Sequence, residues 1–206
     1  MYIEPMDNER TSPPFDMIAR SILDELRRTL NRISCDEVEA LVREVTGAQR
    51  IFVAGAGRSG LVMGSFAMRL AQLGRPVHVV GETTSAPIRP GDLLLIGSGS
   101  GVTDRLVHYA EKAAEVGARV AAATADPDSP AARLADVVVV IPAPTPKSPT
   151  PKSSNATGDK EHRSHQPMGT LFEQSLGVML DTCVLLLMAR LDETGRSMFE
   201  RHANLE

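Results

Sequence analysis

The sequence predicts an α/β protein built on a three-layer, doubly wound, five-stranded parallel sheet, with further helices at both ends of the chain. Two observations lead to this fold class. Five short apolar runs alternate with helical patterns at the spacing of βαβ units. Two of these runs end in glycine-rich turns that lead directly into a helix, as at the ligand-binding edge of a parallel sheet.

Composition indicates one globular domain, 1–206, because 42% hydrophobic and 23% charged residues are ordinary for such a domain. A net charge of −4, no dense basic run and only 3% aromatic residues argue against nucleic acid as a partner. No signal peptide is visible, and the apolar run 178–191 is interrupted by Asp181 and too short to span a bilayer. We therefore expect a cytoplasmic protein without a membrane segment. Cys35 and Cys183 form no CxxC pair and are expected to be reduced core thiols.

The chain begins with a polar stretch, 1–13, that has no period and is expected to be frayed. A helix should follow, because apolar residues then recur at helical spacing. They are Phe15, Ile18, Ile22, Leu26 and Leu30. Ser34 with Glu37 three residues later predicts a capping box at the start of a second helix, which runs to Gly47.

The sheet and its crossover helices occupy the middle of the chain. The predicted strands are 51–54, 77–80, 93–96, 120–123 and 137–141. The predicted helices are 59–73, 103–116 and 131–135. Gly74 and Gly117 follow the first two helices as stop signals.

The last part of the chain departs from this alternation. Residues 142–167 are rich in Pro, Ser and charged residues, a composition that predicts a flexible loop. Thr170 opens a long apolar helix, which the Thr-Gly pair at 194–195 ends or bends. One more short helix is expected from Met198 onward.

The first glycine turn indicates an anion site. Gly55, Gly57 and Gly60 follow a strand and open a helix, whose free N–H groups and dipole attract phosphate. The same three glycines match GxGxxG, and Glu82 ends the second strand, where an acid would hold a ribose. A dinucleotide site therefore remains an alternative, although the chain has no second domain to carry a hydride acceptor.

The second glycine turn, 97–101, brings hydroxyl groups to the end of the third strand. Ser98, Ser100 and Thr103 are its hydroxyl donors. Two such turns at neighbouring strand ends suit one phosphate monoester, which hydroxyl and backbone N–H groups would hold. The alternative is that both are merely tight turns.

Five segments together resemble a known family. They are Gly-Ala-Gly-Arg-Ser-Gly (55–60), Val-Gly-Glu-Thr-Thr (80–84), Gly-Ser-Gly-Ser-Gly (97–101), Gln-Pro-Met-Gly-Thr-Leu-Phe-Glu-Gln (166–174) and Arg-His-Ala-Asn-Leu-Glu (201–206). The chain resembles the 6-phospho-3-hexuloisomerases, a family within the sugar isomerase (SIS) domain superfamily. The first and third segments are common to many SIS domains, and the last two are more specific to this family.

The resemblance implies isomerisation of D-arabino-hex-3-ulose 6-phosphate to D-fructose 6-phosphate, in the ribulose monophosphate route of formaldehyde fixation. The carbonyl moves from C3 to C2 through a cis-enediol, so neither a cofactor nor a metal is expected. The implied residues around the phosphate and sugar are Gly57, Arg58, Ser59, Glu82, Thr83, Ser98, Ser100 and Thr103.

Two residues are implied to carry the chemistry. Glu173 is the candidate base; the alternative is that Thr170 and Glu173 form only a capping box. His202 is the candidate for ring opening or for moving oxygen protons; the alternative is a solvated residue near the chain end. In SIS enzymes a histidine often reaches the site from a neighbouring subunit, so a homodimer or homotetramer with shared active sites is expected.

Other functions stay open at this point. The family usually carries a glutamate where this chain has Val102. Another SIS sugar-phosphate isomerase is the first alternative, and a non-catalytic sugar-phosphate-binding protein is the second. His162 and His165 have HxxH spacing in a stretch without a rigid frame, and no metal site is expected there.

Overall fold

The computed structural model describes residues 13–145 and 164–204. Its sheet consists of β1 (Ile51–Gly55), β2 (Val77–Val79), β3 (Leu93–Gly97), β4 (Arg119–Thr124) and β5 (Val137–Val140). Its helices are α1 (Phe15–Leu30), α2 (Cys35–Gly47), α3 (Gly57–Gln72), α4 (Asp104–Glu115), α5 (Pro130–Arg133), α6 (Thr170–Leu191) and α7 (Gly195–Glu200). The frayed stretch and most of the Pro-rich loop expected from the sequence lie outside the described residues.

The sheet is parallel throughout and carries helices on both faces, which confirms the predicted fold class. Alternate side chains of each strand point to opposite faces. Val53 and Leu95 face a core formed with α2, α3 and α6, whereas Phe52 and Leu94 face a smaller core formed with α4. Strands buried on both faces explain the continuous apolar runs in the sequence.

The strand order is β2-β1-β3-β4-β5, so the chain leaves β1 to one side for β2 and then crosses to the other side for β3. The order therefore reverses between β1 and β3, where open α/β sheets bind ligands. The register pairs Gly55 with Gly97. Consequently, both glycine turns begin next to each other, at the carboxyl ends of β1 and β3.

The opposite edge, where the strands begin, is held by ion pairs. Asp92, only 1% exposed, accepts hydrogen bonds from Arg50 at 3.0 and 2.6 Å and from the Arg89 N–H at 2.8 Å. Arg119, at the start of β4, donates to Glu44 of α2 at 2.6 Å and to Asp136 before β5 at 2.8 Å. These contacts join β1, β3, β4 and α2 at the amino ends of the strands, which we call the amino edge.

The start of α2 confirms half of the predicted capping box. The Ser34 hydroxyl accepts a hydrogen bond from the Glu37 N–H at 3.4 Å. The Glu37 carboxylate, however, accepts from the Val140 N–H at 2.8 Å instead of returning to the cap. Because β5 is an edge strand, its free N–H groups need such a partner. Glu37 thus joins α2 to the sheet.

The two thiols differ from the expectation that both lie in the core. Cys35 is exposed at the first residue of α2, so that prediction is wrong for it. Cys183 is buried in α6, and burial raises its pKa to about 12. Its thiol therefore stays protonated near neutral pH.

Helix α6 is longer than the apolar run read from the sequence. The prediction that the run 178–191 is too short to span a bilayer concerned only part of this helix, whose 22 residues are enough, by length and composition, to cross a membrane. Half of its most apolar window is buried inside the protein, and the core helix of a soluble protein passes the same test. Asp181 is on the exposed side of the helix.

Candidate active site

The first glycine turn lets α3 start directly against the end of β1. A Cβ on Gly55 would lie 2.8 Å from the Gly60 Cα, so both positions need glycine for close packing of strand and helix. Gly57 has a φ of +56° and opens α3. The N–H groups of Gly57, Arg58 and Ser59 have no carbonyl partner within the helix, because they belong to its first turn. The turn therefore offers N–H donors to an anion.

The second glycine turn lies beside the first and is closed by local hydrogen bonds. The Ser98 hydroxyl, in a side chain only 5% exposed, accepts from the Gly101 N–H at 3.2 Å, and the Ser100 hydroxyl accepts from the Val102 N–H at 3.5 Å. Thr103 occupies the N-cap position of α4, but its side chain makes no cap hydrogen bond. Serine hydroxyls accept and donate, so those of Ser98 and Ser100 keep a hydrogen free for a ligand.

Replacing Gly101 by Ala should damage this turn. Gly101 has a φ of +61°, and an added Cβ would lie 2.0 Å from the Ser129 Oγ. We expect a loss of about 2 kcal/mol or more in the free energy of unfolding, together with weaker binding of inorganic phosphate. Denaturant unfolding and phosphate titration would measure the two effects. The matched control is Gly47→Ala, where a Cβ meets nothing within 4 Å; equal stability of the two variants would contradict the prediction.

Helix α6 begins at the same edge of the sheet. The Arg58 Nε donates to the Glu173 Oε2 at 2.5 Å, which joins the first turns of α3 and α6. The Glu173 side chain is 16% exposed and that of Arg58 is 65% exposed. The candidate base therefore lies beside the candidate phosphate turn, with its partner open to solvent.

The capping-box alternative for Glu173 is wrong. Gly169 is the N-cap residue of α6, and no side chain caps the helix there. The Thr170 hydroxyl donates instead to the Pro167 carbonyl at 2.6 Å. The Glu173 carboxylate is consequently available for contacts outside its own helix.

Phe172 joins α6 to the second glycine turn. A Cβ on Gly99 would lie 3.1 Å from the Phe172 ring, and one on Gly97 would lie 3.0 Å from Leu176. The two turns and the start of α6 therefore form one site, in which the base candidate contacts Arg58 and the apolar neighbours face the core. Phe172 lies in the motif 166–174, but the motif did not predict a role for it.

Glu25 of α1 also contributes to this region, although the sequence did not predict a role for it. Its carboxylate accepts hydrogen bonds from Ser164, His165 and Gln166, just before α6. Burial alone would raise the pKa of Glu25, yet these hydrogen bonds together hold it below its ordinary value. The available signal was an acidic residue three positions after Ile22, within the apolar stripe of α1.

The remaining predicted binding residues lie on the surface nearby. Glu82 and Thr83 are exposed in the turn that follows β2, the neighbour of β1. Val102, which replaces the family glutamate, is also exposed, directly after the second glycine turn. His165 is exposed as well, and no cluster of metal-ligating side chains occurs in residues 13–145 and 164–204.

His202 lies far from this site within the same chain. Arg201 donates to the carbonyl of Gln72, the last residue of α3, at 3.0 Å. Arg58 stands at the first turn of that helix, roughly 20 Å away at the usual helical rise. His202 itself is exposed, and its ring lies 6.0 Å from that of Phe199. A single chain therefore does not bring His202 to Glu173.

Two glycine turns at paired strand ends, next to an open helix N-terminus, are the features with which open α/β domains bind a small anion at the switch point. The model of the SIS domain family matches residues 44–157. The chain belongs to the SIS domain family.

Within this family, several proteins are similar to the chain over most of its length. The 3-hexulose-6-phosphate isomerase of Mycobacterium gastri is 44% identical over 185 residues, which cover 90% of this chain and 88% of that protein. The Bacillus subtilis (strain 168) enzyme of the same name is 42% identical, over 90% and 95% of the two chains. A crystal structure of a hypothetical protein from Methanococcus jannaschii, inferred to be a 3-hexulose-6-phosphate isomerase, has a TM-score of 0.74 at 28% identity and covers 93% and 98% of the two chains. These similarities confirm the resemblance predicted from the motifs.

Proposed function

We propose that this protein is a ketose isomerase that interconverts D-arabino-hex-3-ulose 6-phosphate and D-fructose 6-phosphate. Relatives of that name share 42–44% identity over 90% of the chain. The observation that carries the proposal within the molecule is the contact between Arg58 and Glu173, because it sets a carboxylate beside the phosphate turn. The reaction belongs to the ribulose monophosphate pathway.

The site supplies the groups that this reaction needs. The N–H groups of 57–59 and the hydroxyls of Ser98, Ser100 and Thr103 hold the phosphate, while Glu82 and Thr83 line the sugar. Glu173 takes the proton from C2 of the hexulose, and the C–H electrons form the C2=C3 bond of the enediol as the C3 oxygen gains a proton. Glu173 then returns a proton to C3 while the C2 hydroxyl loses one and becomes the carbonyl. No electron leaves the substrate, so the reaction needs no redox cofactor.

Arg58 has two partners in this scheme, the Glu173 carboxylate and the substrate. In the free protein it pairs with Glu173, and its 65% exposed side chain leaves it free to turn toward substrate oxygens. A guanidinium suits phosphate and hydroxyl oxygens alike. Its departure would leave the Glu173 carboxylate unpaired and ready to accept a proton.

His202 acts from a neighbouring subunit in this proposal, and a homodimer or homotetramer shares its active sites. The distance between His202 and Glu173 within one chain supports this arrangement. So do large apolar side chains exposed on the helices that flank the site and the chain end. They are Phe15, Leu23, Leu61, Met68, Leu185 and Phe199. His202 would manage the oxygen protons of the enediol, since the two nitrogens of an imidazole ring can donate and accept protons.

We also propose a cytoplasmic location. The substrate is a phosphorylated sugar of central metabolism, and the two cysteines are free thiols. Unpaired thiols are typical of reducing compartments.

Exchange of substrate hydrogens with deuterated water tests the function. Fructose 6-phosphate carries its carbonyl at C2, so a hexulose isomerase should exchange the C3 hydrogen, which nuclear magnetic resonance detects directly. An aldose–ketose isomerase on the same scaffold would exchange a C1 hydrogen instead. Binding of fructose 6-phosphate without any exchange would favour a non-catalytic sugar-phosphate-binding protein, and either result would overturn the proposal.

A further inference from the structure

The most deeply buried side chain of α1 is a charged one. Glu25 is 3% exposed, and Thr29 is the other buried residue of this helix. Burying a carboxylate is costly unless hydrogen bonds or a cation compensate. A helix that needed only to pack would place an apolar residue here, as it does at the partly buried Leu26. The position of Glu25 therefore calls for a specific explanation.

Hydrogen bonds from one short segment provide the compensation. The Ser164 hydroxyl donates to the Glu25 carboxylate at 2.7 Å, the His165 N–H at 2.8 Å and the Gln166 side-chain amide at 3.1 Å. The Ser164 hydroxyl in turn accepts from the Gln166 N–H at 3.0 Å. All three donors lie in consecutive residues, which wrap around a single carboxylate.

This segment leads directly into the helix that carries the base candidate. Pro167 follows Gln166, and its carbonyl accepts from the Thr170 N–H and hydroxyl at the start of α6. Glu173 lies within the next turn and contacts Arg58. Met168 between them has a φ of +58°, so the path from Glu25 to α6 includes a left-handed residue that its surroundings must hold in place.

We propose that Glu25 is a positioning residue for the isomerase reaction: its carboxylate fixes residues 164–166 and thereby the direction in which the first turn of α6 points Glu173. The proposal rests on the proposed function, because it concerns the same base. Three protein donors occupy the buried Glu25 carboxylate. It acts through Glu173, where a displacement of about 1 Å can cost a large factor in rate.

The chemistry of the donor set requires an ionised carboxylate. Only acceptor atoms can satisfy a hydroxyl, a backbone N–H and an amide N–H at once, and a carboxylate supplies two oxygens with no hydrogen. A glutamine at this position would turn its NH₂ group toward at least one of these donors. The three hydrogen bonds also hold the pKa of Glu25 below its ordinary value, despite burial, so the acceptor form persists at neutral pH.

The test compares Glu25→Gln with Asp24→Asn, its exposed neighbour on α1, which pairs with Arg27. For Glu25→Gln we expect kcat with fructose 6-phosphate to fall about tenfold or more while KM changes by less than about twofold, because the phosphate turns are untouched. Asp24→Asn should leave both unchanged. Hydrogen exchange of peptides covering 164–173 should accelerate in Glu25→Gln but not in Asp24→Asn.

A double substitution separates positioning from general weakening of the fold. If Glu25 acts through Glu173, then Glu25→Gln should cost nothing further in a Glu173→Gln background. Ser164→Ala, which removes one donor and keeps the carboxylate, gives a milder variant should Glu25→Gln fail to fold; its kcat should fall with KM unchanged.

The outcomes distinguish this inference from the proposed function. A wild-type protein that exchanges no C3 hydrogen would overturn the function itself. An active wild type with a folded Glu25→Gln variant of unchanged kcat would overturn only the role of Glu25. So would an equal loss of kcat in both backgrounds, since that would show an effect independent of Glu173.

Discussion

Replacing Glu173 by Gln is expected to lower kcat by about 10³-fold, as for loss of a general base, and to slow deuterium exchange at C3 of fructose 6-phosphate by a similar factor. The amide has the shape of the carboxylate and can still accept the hydrogen bond that Arg58 donates. It cannot take a proton from carbon at neutral pH. The two glycine turns proposed to hold the phosphate are unchanged, so KM should change by less than about threefold.

The matched control is Glu111→Gln, because Glu111 is an exposed acid on α4, away from the start of α6. It should exchange deuterium at the wild-type rate. If Glu173→Gln exchanged as fast as the wild type, Glu173 would not be the base, and another group at the same edge of the sheet would have to remove the proton.

Two inactive variants are expected to restore each other when they share an oligomer. His202→Ala should lose about 10²-fold in kcat, and Glu173→Gln loses its base. If His202 serves the neighbouring subunit of a dimer, co-expression of the two variants gives hybrid dimers with one intact site in two. About a quarter of the wild-type sites should then be intact for equal amounts of each chain. Specific activity of the purified mixture would measure this recovery.

The control mixture combines Glu173→Gln with a chain that carries both substitutions, because no arrangement of these chains assembles an intact site. It should remain inactive. Full activity of His202→Ala by itself would make His202 a bystander. An inactive mixture of hybrid dimers, verified by mass spectrometry, would show that Glu173 and His202 do not meet across subunits.

The fold was largely predictable because its elements are encoded by local patterns. Each predicted strand, such as 93–96 against the observed Leu93–Gly97, agrees within a residue or two. Apolar runs bounded by glycine mark buried parallel strands, and the glycines themselves mark the turns. The two glycine turns followed from the same signals, since a strand, a glycine turn and a helix start are contiguous in sequence.

Contacts between distant residues were not predictable in this way. Glu173 fits a capping-box spacing with Thr170, but its carboxylate pairs with Arg58, 115 positions away in sequence. Glu25 is likewise held by residues 139–141 positions further on. Cys35 appeared to be a core thiol because cysteine is commonly buried, and its place at the exposed start of α2 overrides that tendency. Local spacing carries no information on such pairings.

The two edges of the sheet, at the beginnings and at the ends of the strands, carry different groups. Ion pairs of Asp92, Arg50 and Arg119 are concentrated at the amino edge. The opposite edge has glycines and hydroxyls, and it lies one strand length away, about 16 Å for five residues. The ion pairs of Asp92 and Arg119 are therefore held apart from the groups proposed to contact the substrate. Substitutions around the turns can then change the substrate preference without weakening the ion pairs that keep the strands aligned. New specificities can therefore evolve on the same scaffold.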